Sequence, residues 1–248
     1  MLDILFQDEH FVAIHKPAGL LVHRSELDRH ETRFAVQMLR EQLGRIVWPV
    51  HRLDRGTSGV LLFALTHEAL IAASASFETN QVSKQYLAVV RGWPPERGSI
   101  DHPLSRQYDD YERKLNTPAP PQEALTHYQR LATVELPIQV DARYPASRYA
   151  LLAVQPETGR RHQIRRHLKH IAHPIIGDAT HGKGQHNRMF QEQFGCHRLL
   201  LLCQSLSLPH PMTSERLHLH TEVDDSFVAV CQKLGWSEAL VKASIKPL

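Results

Sequence analysis

Apolar and polar positions alternate through ILFQDEHFVAIHKP, which predicts two short strands joined at Asp8-Glu9 and ended by Lys16-Pro17. Over residues 32–43 the period changes. Phe34, Ala35, Met38, Leu39 and Leu43 recur at helical spacing, and Gly44 follows as a stop. GVLLFAL (59–65) is a continuous apolar run of the kind buried on both faces of a sheet. Thr66 is placed to cap a helix running to about Phe77, and SKQYLAVVRG then reads as a second buried strand. Beyond Gly92, proline and polar residues dominate as far as Ala124, predicting a long excursion with short edge strands and not a second domain. Strands follow at 125–134 and 148–154. Ile164, Leu168 and Ile171, at i, i+4 and i+7, then mark the buried face of a helix. RLLLLCQSLSL reads as a strand and SFVAVCQKLGW as a closing helix.

Strands therefore come in runs, broken by a few helices that do not alternate with them. This order predicts an α+β fold with a mixed, mostly antiparallel central sheet and flanking helices, spanning 1–248 as one domain. The 248 residues are 42% hydrophobic and 22% charged, an ordinary balance for a chain with a sizeable core, and no tract suggests disorder. Cys196, Cys203 and Cys231 are odd in number and form no CxxC pair, so they read as reduced thiols. The N-terminus has acids where a secretion signal would be basic, and no apolar run is long enough to cross a bilayer. The expectation is a cytoplasmic protein that engages no membrane.

A net charge of +3 says little about partners, but its distribution says more. Between Arg160 and Lys169 stand five cations and no anion, whereas the last 28 residues balance three lysines with four acids. Focused charge of this kind suits an anionic partner.

Three segments offer chemistry. In HRLDRGTSG, Asp54 stands in a loop five residues ahead of a buried strand, where a rigid scaffold can aim a side chain. Taken alone, the stretch reads more readily as a turn whose Asp pairs on the surface with Arg52 or Arg55. In GRRHQIRRHLKH, Arg165 is adjacent to core-facing Ile164 and emerges at the edge of the buried stripe, where a guanidinium needs an anion; Asp54 would serve. In SKQYLAVV, Lys84 and Tyr86 share one face of a strand. His162, His167, His170 and His173 lack HExxH and nearby cysteines, so no metal site is expected. Ser58 lacks the GxSxG elbow, and GDATHGKG lacks the spacing of a phosphate loop.

KPAGLLVH, HRLDRGTSGVLLFA, SKQYLAVVRG, TGRRHQIRRHL and HPIIGD occur in this order and together resemble the RluA-type pseudouridine synthases. The resemblance covers most of the chain. It implies a cofactor-free enzyme that breaks the N-glycosidic bond of a uridine in structured RNA, turns the uracil and rejoins it to ribose through C5. It implies Asp54 as nucleophile, attacking either C6 of the ring or C1′ of the sugar, and Arg165 as its bidentate ion-pair partner. Tyr86 would be the active-site tyrosine, stacking on uracil, hydrogen bonding or taking a proton. Arg52 would fill the stack that the flipped nucleotide leaves. Arg55, Arg160, Arg161, Arg166 and Lys169 would neutralise phosphates. The first motif starts at Lys16, which leaves no room for an S4-like RNA-binding module before it. Arg161 replaces the more usual Thr, and THGKGQHN follows HPIIGD. These two departures resemble the branch that modifies uridine 65 in the T stem of tRNA, with dual rRNA and tRNA specificity as one alternative and, from the basic helix and the arginines flanking Asp54, a non-catalytic RNA-binding protein as the other. No protein partner is implied.

Overall fold

In the computed structural model, which describes residues 1–23, 31–107, 120–211, 213 and 215–245, the alternating N-terminal segment forms β1 (Asp3–Gln7) and β2 (Phe11–Lys16). Asp8 shapes the turn between them: its Oδ1 accepts from the backbone N–H groups of His10 and Phe11. Helix α1 (Ala35–Leu43) begins later than the helical period suggests. The reason is that Phe34 stays extended and bridges Leu21, while the N–H groups of Ala35 and Val36 donate to the carbonyls of Leu21 and Val22. Those donors, free at most helix starts, are thereby satisfied without a side-chain cap. Gly44 ends α1 in the left-handed region at φ 65°.

A two-residue strand, β3 (Trp48–Pro49), pairs the far end of β4 (Ser58–Ala64). Every residue of β4 is buried. Thr66 caps α2 (His67–Glu78) by accepting from the Ala69 N–H. The chain continues through β5 (Ser83–Arg91), β6 (Arg97–Asp101), β7 (Leu125–Leu136), β8 (Ser147–Pro156), α3 (Gln163–His170), α4 (Gly184–Phe194), β9 (Leu201–Pro209), β10 (Arg216–His220), α5 (Asp225–Lys233) and α6 (Ser237–Ile245). The Pro-rich excursion contributes β6 and a bridge between Leu104 and Gln122; its stretch 108–119 lies outside the described residues.

The ten strands form one sheet in the order β1-β2-β4-β9-β5-β8-β7-β6, with β10 on β9 and β3 on β4. All described pairs are antiparallel except β4 with β9, so the sheet is mixed and mostly antiparallel. Both faces are covered. Ala88 and Val90 of β5 join a core with α1 and α3, while Leu87 and Val89 join a second core with α4, α5 and α6.

The parallel contact of β4 with β9 depends on one glycine. Gly59 lies opposite Cys203 at φ 111°, and a Cβ there would overlap the Cys203 backbone carbonyl. Gly59→Ala is expected to lower stability by about 3 kcal/mol or more, from backbone strain and overpacking together. Chemical denaturation measures it; an unchanged midpoint would refute the close approach. Gly56 has a different role. Its φ is not left-handed, and a Cβ would press on the Leu199 side chain at 3.0 Å.

Candidate active site

The loop between β3 and β4 carries Asp54, and its backbone is fixed from two sides. Thr57 N–H donates to the Asp54 carbonyl at 3.0 Å, closing a turn. Lys16, at the end of β2 and fully buried, donates through Nζ to the carbonyls of Leu20, Pro17 and Arg55 at 2.7, 3.0 and 3.2 Å. Burial, reinforced by the positive charge of Arg198 and opposed by Asp54, brings the Lys16 ammonium down to about 7. Gly19 N–H donates to the Arg55 carbonyl at 2.8 Å, and Arg55 Nε returns a bond to the Gly19 carbonyl. The KPAG turn is thus a buttress under the residue next to Asp54. Thr57 and Ser58 are both buried, and Ser58 Oγ is engaged with Asp224 and Arg198.

Across the cleft stands the start of α3. Gln163 and His167 bind this helix to β7: Gln163 Nε2 donates to the Leu125 carbonyl and Thr126 Oγ1, and His167 Nδ1 meets the same Thr126 hydroxyl. Ile164 and Leu168 are buried on the core side, with Ile171 packed partly against it. One turn is left to face the cleft, and it presents His162 and Arg165.

Arg165 and Asp54 meet although 111 positions apart, with Nη1 donating to Asp54 Oδ2 at 3.0 Å. The contact is single. The two-pronged pair forms instead with Asp178, whose Oδ2 and Oδ1 accept from Arg165 Nε and Nη2 at 2.7 and 2.8 Å. This corrects the expectation of a bidentate Arg165–Asp54 pair: the fork geometry of guanidinium is satisfied from behind by Nε and Nη2, and Nη1 is the group turned to Asp54. Asp178 has no exposed side-chain surface, and its Oδ1 also accepts from Thr180 and His181 N–H. Burial disfavours its ionised form, but Arg165 and those N–H groups outweigh burial and hold the carboxyl below its usual range. Asn187 of α4 secures the loop, accepting from Gly177 N–H and donating to the Asp178 carbonyl, both at 2.9 Å. The segment THGKGQHN therefore supplies the helix start that holds Asp178.

A cleft of about 490 Å³ lies between these elements, bounded by Arg52, Asp54, Lys84, Tyr86, His162 and Arg165 among others, a volume suited to a nucleoside-sized group. Lys84 and Tyr86 share the cleft face of β5, as their spacing predicts. Tyr86 is 9% exposed; burial, then the neighbouring Cys203 thiol and the Asp54 carboxylate, push its hydroxyl well above its usual value. His51, whose Nε2 accepts from Leu62 N–H and whose ring stacks on Phe77 at 5.1 Å, is held neutral by burial.

Residues 10–170 match the sequence profile of the RNA pseudouridylate synthase family. The chain belongs to that family. This pseudouridylate synthase is therefore an isomerase. It is 46% identical to tRNA pseudouridine synthase C of Vibrio parahaemolyticus over 97% of its own length and 98% of the relative's, and 48% identical to the protein of that name in Yersinia pestis over 96% and 92%. Its fold is similar to the solved human RNA pseudouridylate synthase domain containing 4, at a TM-score of 0.68 and 27% identity over 94% of this chain and 93% of that one.

The cations that sequence places on RNA are distributed unevenly around the synthase cleft. Arg52 is exposed at its mouth. Arg55 points to half-buried Glu31, at 2.5 Å. Arg160, Arg161 and Arg166 each donate to a backbone carbonyl, of Glu123, Gln107 and Ser105 respectively, and so clamp both ends of the described excursion onto α3 and the turn before it. Lys169 is exposed on the same helix. The four histidines of this region diverge: His162 reaches His181, His167 the His102 carbonyl, His170 stacks on His102, and His173 meets the Arg91 carbonyl. Among the described residues no group of three or more His, Cys, Asp or Glu is placed to hold a metal ion, and no helix is long and apolar enough to cross a membrane.

Proposed function

We propose that the chain converts a uridine of tRNA to pseudouridine in the cytoplasm as one catalytic domain, with Asp54 as nucleophile and position 65 of the T stem as target. The observation that carries this reading is the asymmetry of the Asp54 carboxylate. Oδ2 is fixed by Arg165, whereas Oδ1 accepts no hydrogen bond among the described residues and opens on the cleft. One oxygen is oriented and the other is free to attack. The tRNA substrate rests on the tRNA pseudouridine synthase C relatives, matched over nearly their whole length; position 65 rests on the resemblance carried by Arg161 and THGKGQHN.

Tyr86 acts here with its proton on. Because its hydroxyl is held well above the usual value, it stacks on the flipped uracil and donates a hydrogen bond. Tyr86→Leu is expected to lower single-turnover rate by about 10²-fold or more with little change in tRNA affinity; a rate within about tenfold would remove Tyr86 from the chemistry.

Arg52 fills the vacated stack, and Arg160, Arg161, Arg166 and Lys169 offer their remaining N–H groups to phosphates. Arg52→Ala is expected to weaken binding to all tRNAs alike and to reduce the salt slope by about 1 if it also contacts a phosphate. Titrations at several salt concentrations measure both.

Unmodified tRNA tritiated at uridine C5 tests the class of reaction, since isomerisation releases that label to water. No release from bulk tRNA would overturn the reading. Release from rRNA as well would assign the dual specificity instead. Mapping pseudouridines in RNA from cells lacking the protein identifies the position.

A further inference from the structure

Joining C5 of uracil to C1′ leaves C5 bonded to both the sugar and its original hydrogen, and some group must remove that proton. We propose that His162 is the base that does so, an assignment that rests on Asp54 being the nucleophile. If Asp54 attacks the sugar, the C5–H electron pair forms the C5=C6 bond, the C6=N1 pair moves to N1, and N1 takes a proton from solvent. If Asp54 attacks the ring, the same pair forms C5=C6 while the C6–O bond breaks and carboxylate leaves. In both cases the C5 proton passes to His162 Nε2 and then to solvent.

The geometry favours this atom. His162 Nε2 lies 3.9 Å from Asp54 Oδ1, the oxygen left free for attack. In the substrate C6 is bonded to C5, and in the product C1′ is bonded to C5. Whichever carbon Oδ1 reaches, the carbon that bears the proton to be lost is therefore one bond away. His162 Nδ1 lies 3.0 Å from His181 Nε2, a contact that orients the ring and leaves Nε2 to the cleft it lines. The backbone at His162 is left-handed, at φ 56°, an uncommon conformation for a residue with a side chain and one that places it at the mouth of α3.

The charged and titratable groups facing the ring are Asp54 from its loop, Arg165 and Arg161 from around α3, and His181 beside Asp178. Burial lowers the imidazole to about 4; Asp54 opposes this, and Arg165, His181 and Arg161 add to it. The ring is thus uncharged across the physiological range and holds the C5 proton only in passing to solvent.

His162→Asn, whose side chain tolerates the left-handed backbone, is expected to lower kcat on tRNA by about 10²-fold while leaving KM within about threefold. With deuterium at uridine C5, the variant should show a primary isotope effect larger than that of the unsubstituted protein, because loss of the C5 proton becomes the slow step. A merely structural role would not move that effect. His162→Ala provides a second variant, whose rate should rise with added imidazole. The assignment is overturned if the folded variants retain a rate within about twofold of the unsubstituted protein. It is equally overturned if they slow without a larger isotope effect and without imidazole rescue. Absence of tritium release from the unsubstituted protein would instead defeat the underlying reading of the site.

Discussion

Asp54→Ala should abolish release of C5 tritium from tRNA while leaving tRNA affinity within about tenfold. The separation arises because phosphate contacts supply most of the binding free energy in such complexes, and Asp54 contributes none of them. Its carboxylate is 26% exposed, inside a cleft whose exposed cation Arg52 lies at the mouth. Removing it leaves Arg165 still paired with Asp178, so the fold should persist with little change in melting temperature. Filter binding and single-turnover tritium release on the same preparation check both halves. Residual turnover above a few per cent would remove the nucleophile assignment, whatever the affinity.

Asp178→Ala should have the larger structural effect. Arg165 is 10% exposed, and without Asp178 its guanidinium would keep only one bond, to Asp54. Breaking one side of a buried ion pair costs about 3 to 5 kcal/mol, which in a chain of this size corresponds to a melting-temperature loss of about 10 °C. Turnover should fall too, because the arginine that orients Asp54 loses its own anchor. The pH dependence has a definite sign. The folded carboxyl of Asp178 is held below its unfolded value of about 4. Its stabilisation is therefore fully present above that value and is lost as pH falls through the lower, folded one. Asp178→Asn should flatten this acid limb of the stability profile. Equal stability of the unsubstituted and Asp178→Ala proteins at pH 7 would show that Arg165 is held by something else.

The elements with a strong period were legible in the sequence: β2, β4, β5, β8 and α2 follow from apolar runs or a helical repeat with a cap. Helix α4 was not, because GQHNRMFQEQF buries only His186, Met189 and Phe190 and carries no continuous apolar stripe. Strand β10 and helix α6 were missed for a similar reason, their burial being set by contacts with β9 and with the α4 and α5 core.

The meeting of Asp54 with Arg165 could be argued from the edge position of Arg165 beside Ile164. Asp178 could not, although HPIIGD was conspicuous. A carboxylate following Ile-Gly in a loop has no period, and only the fold shows that it faces the back of Arg165. His162 was weighed as a metal ligand alone, since its left-handed backbone, and with it the direction of its ring, is invisible in composition or spacing.

The parallel seam between β4 and β9 also has a kinetic meaning. β9 begins at Leu201, in the middle of the sheet, between β4 and β5. Until it arrives, the two strands that flank it have no shared neighbour, and the loop ahead of β4 lacks the Leu199 side chain against which Gly56 rests. A nascent chain that has emerged through residue 170 already contains Asp54, Tyr86, His162 and Arg165, yet lacks Asp178 and the central strand. Such long-range closure is slow relative to local helix formation. The synthase should therefore acquire activity only after the residues of β9 have been made, and a fragment trimmed to residues 10–170 should be inactive.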